Sequence, residues 1–129
     1  MNGLTLAYLG DAYYELSIRK HLIELKLTNV NDLHKQAIKY TSGTAQAKII
    51  EYLMEKELLT VSEIETFKRG RNSSGPGRKN IDAKAYHYAT GFEALIGALY
   101  LEDIQRADSI IGLAITFIEE GALHGKNSG

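Results

Sequence analysis

Cysteine and tryptophan are absent from this 129-residue chain, and proline occurs once. Without cysteine there is no disulfide framework, no thiolate metal centre and no thiol nucleophile. With Pro76 as the single proline, few helix breaks are forced on the backbone, which favours long helices. No apolar run approaches the roughly 18 residues that mark a membrane span, and no basic segment followed by an apolar core opens the chain. A cytoplasmic protein is the expectation. Neither sign of charge is in surplus: 15 Lys and Arg stand against 16 Asp and Glu. Net charge alone therefore gives no hint of a nucleic-acid partner, and any such hint must come from how the cations are distributed. Several catalytic signatures are missing too: a Walker loop, a G-x-S-x-G elbow, an HExxH pair and a His-Asp dipeptide. The four histidines, His21, His34, His87 and His124, have no paired metal spacing.

What is present is a single helical domain. With 44% hydrophobic and 24% charged residues, the composition is that of an ordinary globular protein, and the length suits one core. Apolar residues recur at helical spacing nearly throughout, and no stretch alternates as a strand does. Helices are expected over Leu4–Lys26, Asp32–Thr41 with Asn31 as N-cap, and Thr44–Glu57. A fourth starts at two overlapping capping boxes, Thr60 with Glu63 and Ser62 with Glu65, and runs to about Gly70. The last two span Ala83–Leu101 and Ile104–Glu119. The class is all-α with about six helices, in one domain over residues 1–120. Residues 121–129 lack periodicity and read as a disordered tail.

Two acids stand out by their surroundings. Asp11 lies in Leu6-Ala7-Tyr8-Leu9-Gly10-Asp11-Ala12, which continues through Tyr13, Tyr14, Leu16 and Ile18. Apolar residues on all sides predict a buried helix. Glu93 lies in an equally apolar stretch, Ala89 to Leu99, where Gly91 and Gly97 would let that helix approach its neighbours closely. A lone carboxylate of this kind is ordinarily hydrogen-bonded within the core. Two of them, on two apolar helices, point to a shared cation. Oxygen ligands alone suit Mg²⁺, with Mn²⁺ as a substitute, rather than zinc. Glu15 sits one turn after Asp11 and is either a third acid at the site or the surface partner of Arg19; the spacing favours the pair with Arg19.

The cations are clustered. Lys68, Arg69, Arg71, Arg78 and Lys79 fall in an acid-free segment rich in Gly, Ser and Asn, with Lys84 and His87 close behind. As a solvated loop it would need no partner. Arg side chains on a glycine-rich backbone equally suit phosphate, and a long loop in a small domain is more often functional than idle. The tyrosines fall mostly at core spacing; Tyr86 and Tyr88, beside the basic segment, are less easily assigned.

These motifs resemble those of a known family. L-A-Y-L-G-D-A around Asp11 and F-E-A-L-I-G-A-L-Y-L-E around Glu93 are similar to the two catalytic segments of ribonuclease III. K-R-G-R-N from Lys68, K-N-I-D from Lys79 and S-G-T-A-Q-A from Ser42 resemble further motifs of its short form, Mini-ribonuclease III, which consists of the catalytic domain alone. The resemblance covers nearly the whole chain. It implies a dimeric, Mg²⁺-dependent endoribonuclease acting on double-stranded RNA, with maturation of 23S ribosomal RNA precursor ends as its role and a ribosomal protein as a possible helper. It assigns catalysis and the metal to Asp11 and Glu93. The chain departs from full-length ribonuclease III at Ala7 and Thr90, where that enzyme has two more acids; the short form resembles this chain in lacking them. A rival expectation is a catalytically silent RNA-binding or ribosome-assembly module of the same fold.

Overall fold

The computed structural model describes the backbone of residues 1–75 and 82–128 and the side chains to residue 122. Six helices appear in the expected order: α1 (Gly3–Glu24), α2 (Val30–Thr41), α3 (Gly43–Glu55), α4 (Val61–Ser73), α5 (Ala83–Glu102) and α6 (Ile104–Ser128). No strand occurs among the described residues. None of their helices is long and apolar enough to cross a membrane.

Local chemistry explains where the helices begin. Asn2 caps α1 by accepting from the Thr5 amide, and Ser42 caps α3 by accepting from Ala45. Asn29, not Asn31, caps α2, because its side chain accepts from both Asn31 and Asp32 and so draws the helix start two residues earlier. Of the two candidate boxes before α4, Thr60 with Glu63 is the one that caps the helix. The Glu63 carboxylate also takes two hydrogen bonds from Arg106 of α6, at 2.8 and 2.9 Å, while that guanidinium donates to the Leu58 carbonyl. The Arg106 guanidinium is the main reason that Glu63 sits below the usual carboxylate range. α1 ends in a turn with Lys26 at φ 70°, and α3 in one with Glu57 at φ 56°. α6 is helical beyond its expected end at Glu119, since no proline or capping signal interrupts it there.

α5 is the central element and packs on α1, α3, α4 and α6. From Ala89 to Leu99 every residue is buried except Glu93. Its neighbours come close because glycines face one another. A Cβ on Gly10 of α1 would overlap the Glu93 carbonyl oxygen, and one on Gly97 would overlap the Leu6 carbonyl oxygen. Gly91, as its position suggested, lies against Phe67 of α4.

α1 differs from expectation. It buries one face, with Leu6, Ala7, Gly10, Tyr14, Ile18 and Leu22 turned to the core. The opposite face is also apolar but exposed, through Leu4, Tyr8 (84% exposed), Leu16 and Ile23. The all-round apolar pattern therefore reflects a second apolar face left uncovered by the described residues, rather than a helix enclosed by the domain.

Candidate active site

The α1–α5 crossing places Asp11 and Glu93 together. Gly10 seats on the Glu93 backbone, so the residue after Gly10 is carried to the edge of the same contact. Both acids line one open groove of about 550 Å³, along with Leu4, Ala7, Thr41, Gln46 and Thr90. Asp11 is exposed, contrary to the buried carboxylate expected from its apolar neighbours, because it stands where the covered face of α1 turns to solvent. Glu93 is half-buried.

The pair is electrostatically strained. Glu93 is pushed up to about 8, mainly by burial and then by Asp11, which hydrogen-bonds the protonated form and repels the ionised one; Gln46 acts weakly the other way. Two carboxylates that resist joint ionisation fit a divalent cation, whose charge would offset both effects. The donor chemistry also fits: the two carboxylates that line the groove are oxygen donors suited to a hard cation. Among the described residues no cluster of three or more His, Asp or Glu forms a metal-binding group. Ala7 and Thr90 both line the groove, and the Thr90 hydroxyl donates to the Tyr86 carbonyl at 3.0 Å. The two positions at which the resemblance marks missing acids thus face this site without supplying charge.

A stability consequence follows from Glu93. Its folded pKa is raised, so the folded state holds a proton that the unfolded state releases near pH 4.5. Folding is opposed increasingly as pH rises from there, and fully above pH 8. In EDTA, Glu93→Gln should melt above wild type at pH 9, by a few kcal/mol at about 1.4 kcal/mol per pKa unit. The gap should close towards pH 5. Equal melting temperatures across this range would show that Glu93 is not strained.

Glu15 makes the expected surface pair, with its carboxylate 3.3 Å from the Arg19 guanidinium. It also borders a shallow pocket shared with Asp11.

Lys68 and Arg69 are helical as expected, and Arg71 joins them instead of opening a loop after Gly70. Lys68, Arg69 and Arg71 lie on the last turns of α4, which continues to Ser73. Cations suit a helix C-terminus, and this offsets the weak helix propensity of Asn72 and Ser73. Lys68 and Arg69 are exposed; Arg69 donates to the Met1 carbonyl at 2.8 Å, and Arg71 lies over the Phe67 ring. Lys84, exposed in the first turn of α5, stands 5.3 Å from the centre of the Tyr88 ring. Arg78 and Lys79 lie outside the described residues.

Gln46 was missed in the sequence reading, though a signal for it exists. With Ile49, Ile50 and Leu53 it makes a buried face of α3 at spacings of three, four and seven, and an amide at such a position requires a reason.

Comparison with known proteins shows the family. Residues 4–103 match the family model described as "Ribonuclease III domain". A Mini-ribonuclease 3 of Acholeplasma laidlawii is 51% identical over 97% of this chain and all of its own length. That of Symbiobacterium thermophilum is 47% identical, covering 92% of this chain and 91% of its own. A crystal structure of a Fusobacterium nucleatum protein superposes with a TM-score of 0.78 at 31% identity, covering 90% of this chain and 93% of that one. The chain belongs to the ribonuclease III domain family, alongside the Mini-ribonuclease 3 proteins.

Proposed function

We propose that this endoribonuclease cuts double-stranded RNA in a Mg²⁺-dependent reaction, as a homodimer, and acts in the cytoplasm on precursor ribosomal RNA. The observation that carries this reading is the meeting of Asp11 and Glu93 in one groove. Asp11 and Glu93 would hold the cation, which when bound supplies charge neutralisation at the scissile phosphodiester and activation of the attacking water. Glu93, anchored on the most buried helix, fixes one side of the site, while exposed Asp11 faces the incoming phosphate backbone. Mn²⁺ should replace Mg²⁺, since both prefer oxygen ligands.

Duplex RNA presents phosphates and 2′-hydroxyls rather than readable base edges, so recognition should be mainly by shape. Lys68, Arg69, Arg71 and Lys84, with Arg78 and Lys79 between them in sequence, supply the phosphate contacts. Lys84 and Glu93 share α5 and stand about 14 Å apart at 1.5 Å per residue, within the width of a duplex. Replacing Lys68, Arg71 and Lys84 with Ala should raise KM for every duplex sequence alike and leave kcat nearly unchanged. The logarithmic salt slope should fall by close to one unit per lost contact. Wild-type KM and slope in the triple variant would make the segment a solvated surface.

The dimer reading is supported by the uncovered face of α1. Leu4, Tyr8 and Leu16 are exposed at four-residue multiples, and Leu101 and Ile104 are exposed at the α5–α6 junction. Such apolar surface ordinarily marks a protein contact. Two copies would bring two acid pairs to a duplex, one for each strand. Maturation of 23S ribosomal RNA ends, with a ribosomal protein as helper, is the role that the resemblance to Mini-ribonuclease III implies for it.

The site's shortage of acids, with Ala7 and Thr90 at its wall, favours one other reading: a silent RNA-binding or ribosome-assembly module. Incubation with duplex RNA separates the two. Cleavage in Mg²⁺ that stops in EDTA is expected, whereas retention of duplex without cleavage in Mg²⁺ or Mn²⁺ would establish the silent module.

A further inference from the structure

We infer that Gln46 is the third oxygen ligand of the cation site, with its side-chain carbonyl standing in for a missing carboxylate. This rests on the reading of Asp11 and Glu93 as cation ligands. Gln46 is 2% exposed, lines the groove with both acids, and its amide N–H favours the ionised form of Glu93. Its Nε2 donates to the Thr41 carbonyl at 3.0 Å. That bond fixes which end of the amide is which, because turning it over would set two carbonyl-type oxygens against each other. Oε1 is then left buried with no hydrogen-bond partner, the one such side-chain atom among the described residues.

An unpartnered buried acceptor is ordinarily removed by substitution or supplied with a donor. Here it persists on a helix face otherwise made of Ile49, Ile50 and Leu53, where an apolar residue would pack at no such cost. A hard cation is a partner that suits a neutral amide oxygen. Ala7 and Thr90 line the same groove and bring no carboxylate to it. A neutral third ligand also has an electrostatic advantage. Glu93 is already hard to ionise beside Asp11, and a third carboxylate would add to that repulsion in the cation-free protein.

Direct Mn²⁺ binding to the RNA-free protein, followed by the electron paramagnetic resonance of the free ion, reads this without cleavage. Gln46→Leu should weaken Mn²⁺ binding about tenfold or more, the scale seen when a supporting group of a metal site is lost. Gln46→Glu keeps the shape, supplies a charged oxygen, and should bind Mn²⁺ at least as tightly as wild type. If Gln46 were only a packing residue tied to Thr41, Gln46→Glu would weaken Mn²⁺ binding instead, because its carboxylate cannot donate to that carbonyl and the wall of the groove would shift. Asp11→Asn serves as the reference. Wild-type Mn²⁺ affinity in Asp11→Asn would overturn the two-acid site itself. Loss there, with wild-type affinity in Gln46→Leu or weakened binding in Gln46→Glu, would overturn the role of Gln46 alone. Should Gln46→Leu not fold, the Gln46→Glu result decides.

Discussion

Asp11→Asn and Glu93→Gln should each lower cleavage of duplex RNA at least about a hundredfold while leaving a folded protein. The size is that of losing one preorganised electrostatic contribution to a transition state. Each replacement keeps shape and removes charge. Asp11 is exposed, so Asp11→Asn should cost little stability, and Glu93→Gln should gain it as pH rises, most fully above pH 8, by removing a buried ionisable group. Activity and stability therefore move apart in these variants, and a fall in cleavage cannot be ascribed to unfolding. The measurement is kcat in saturating Mg²⁺ beside a thermal melt. Near-normal turnover in either folded variant would remove that acid from the site.

Gly10→Ala should be almost as damaging to cleavage, though it touches no charge. The new Cβ would meet the Glu93 carbonyl oxygen and come within 2.7 Å of the Gly97 nitrogen. Those are backbone atoms of the central helix, so no side-chain rotation can make room. Overpacking of this kind costs about 1–3 kcal/mol or more, equivalent to a melting temperature lower by roughly 5–15 °C. α1 must also shift relative to α5, and an ångström of misplacement between the two acids is itself worth about a hundredfold in rate. Gly112→Ala is the control. Gly112 lies in α6, and a Cβ there meets nothing within 4 Å. That change should stabilise by up to about 1 kcal/mol through helix propensity alone. Similar melts for the two variants would mean that the crossing is looser than its glycines indicate.

The helices and the acid pair were legible because each rests on local chemistry. Thr60 with Glu63 announces a helix start in three residues of sequence, and apolar spacing carries each helix onward. The pairing of Asp11 with Glu93 needed one more step: two acids that share an apolar setting share a reason. What stayed hidden depends on which face meets which. The sequence around Asp11 looks uniformly apolar, so it could not show that Leu4, Tyr8 and Leu16 would point away from the chain's own core. Ser and Asn around Arg71 suggested a loop, yet α4 continues through them with its cations at the favoured end. Gln46 was readable in principle as a polar residue at a core position of α3. Its meaning appeared only when α3 packed on α5 and brought the amide to Glu93.

The burial of α5 bears on how the molecule opens to solvent. Its backbone from Ala89 to Leu99 is enclosed by four other helices, so its amide protons should exchange only when the whole domain opens. Those at the exposed start of α5 and in the turn around Lys26 should exchange through local fraying. Glu93 thus rides on the slowest-exchanging part of the molecule, while Lys84 stands in the exposed first turn of the same helix. Fraying at the start of α5 would therefore leave the turn that carries the acid in place.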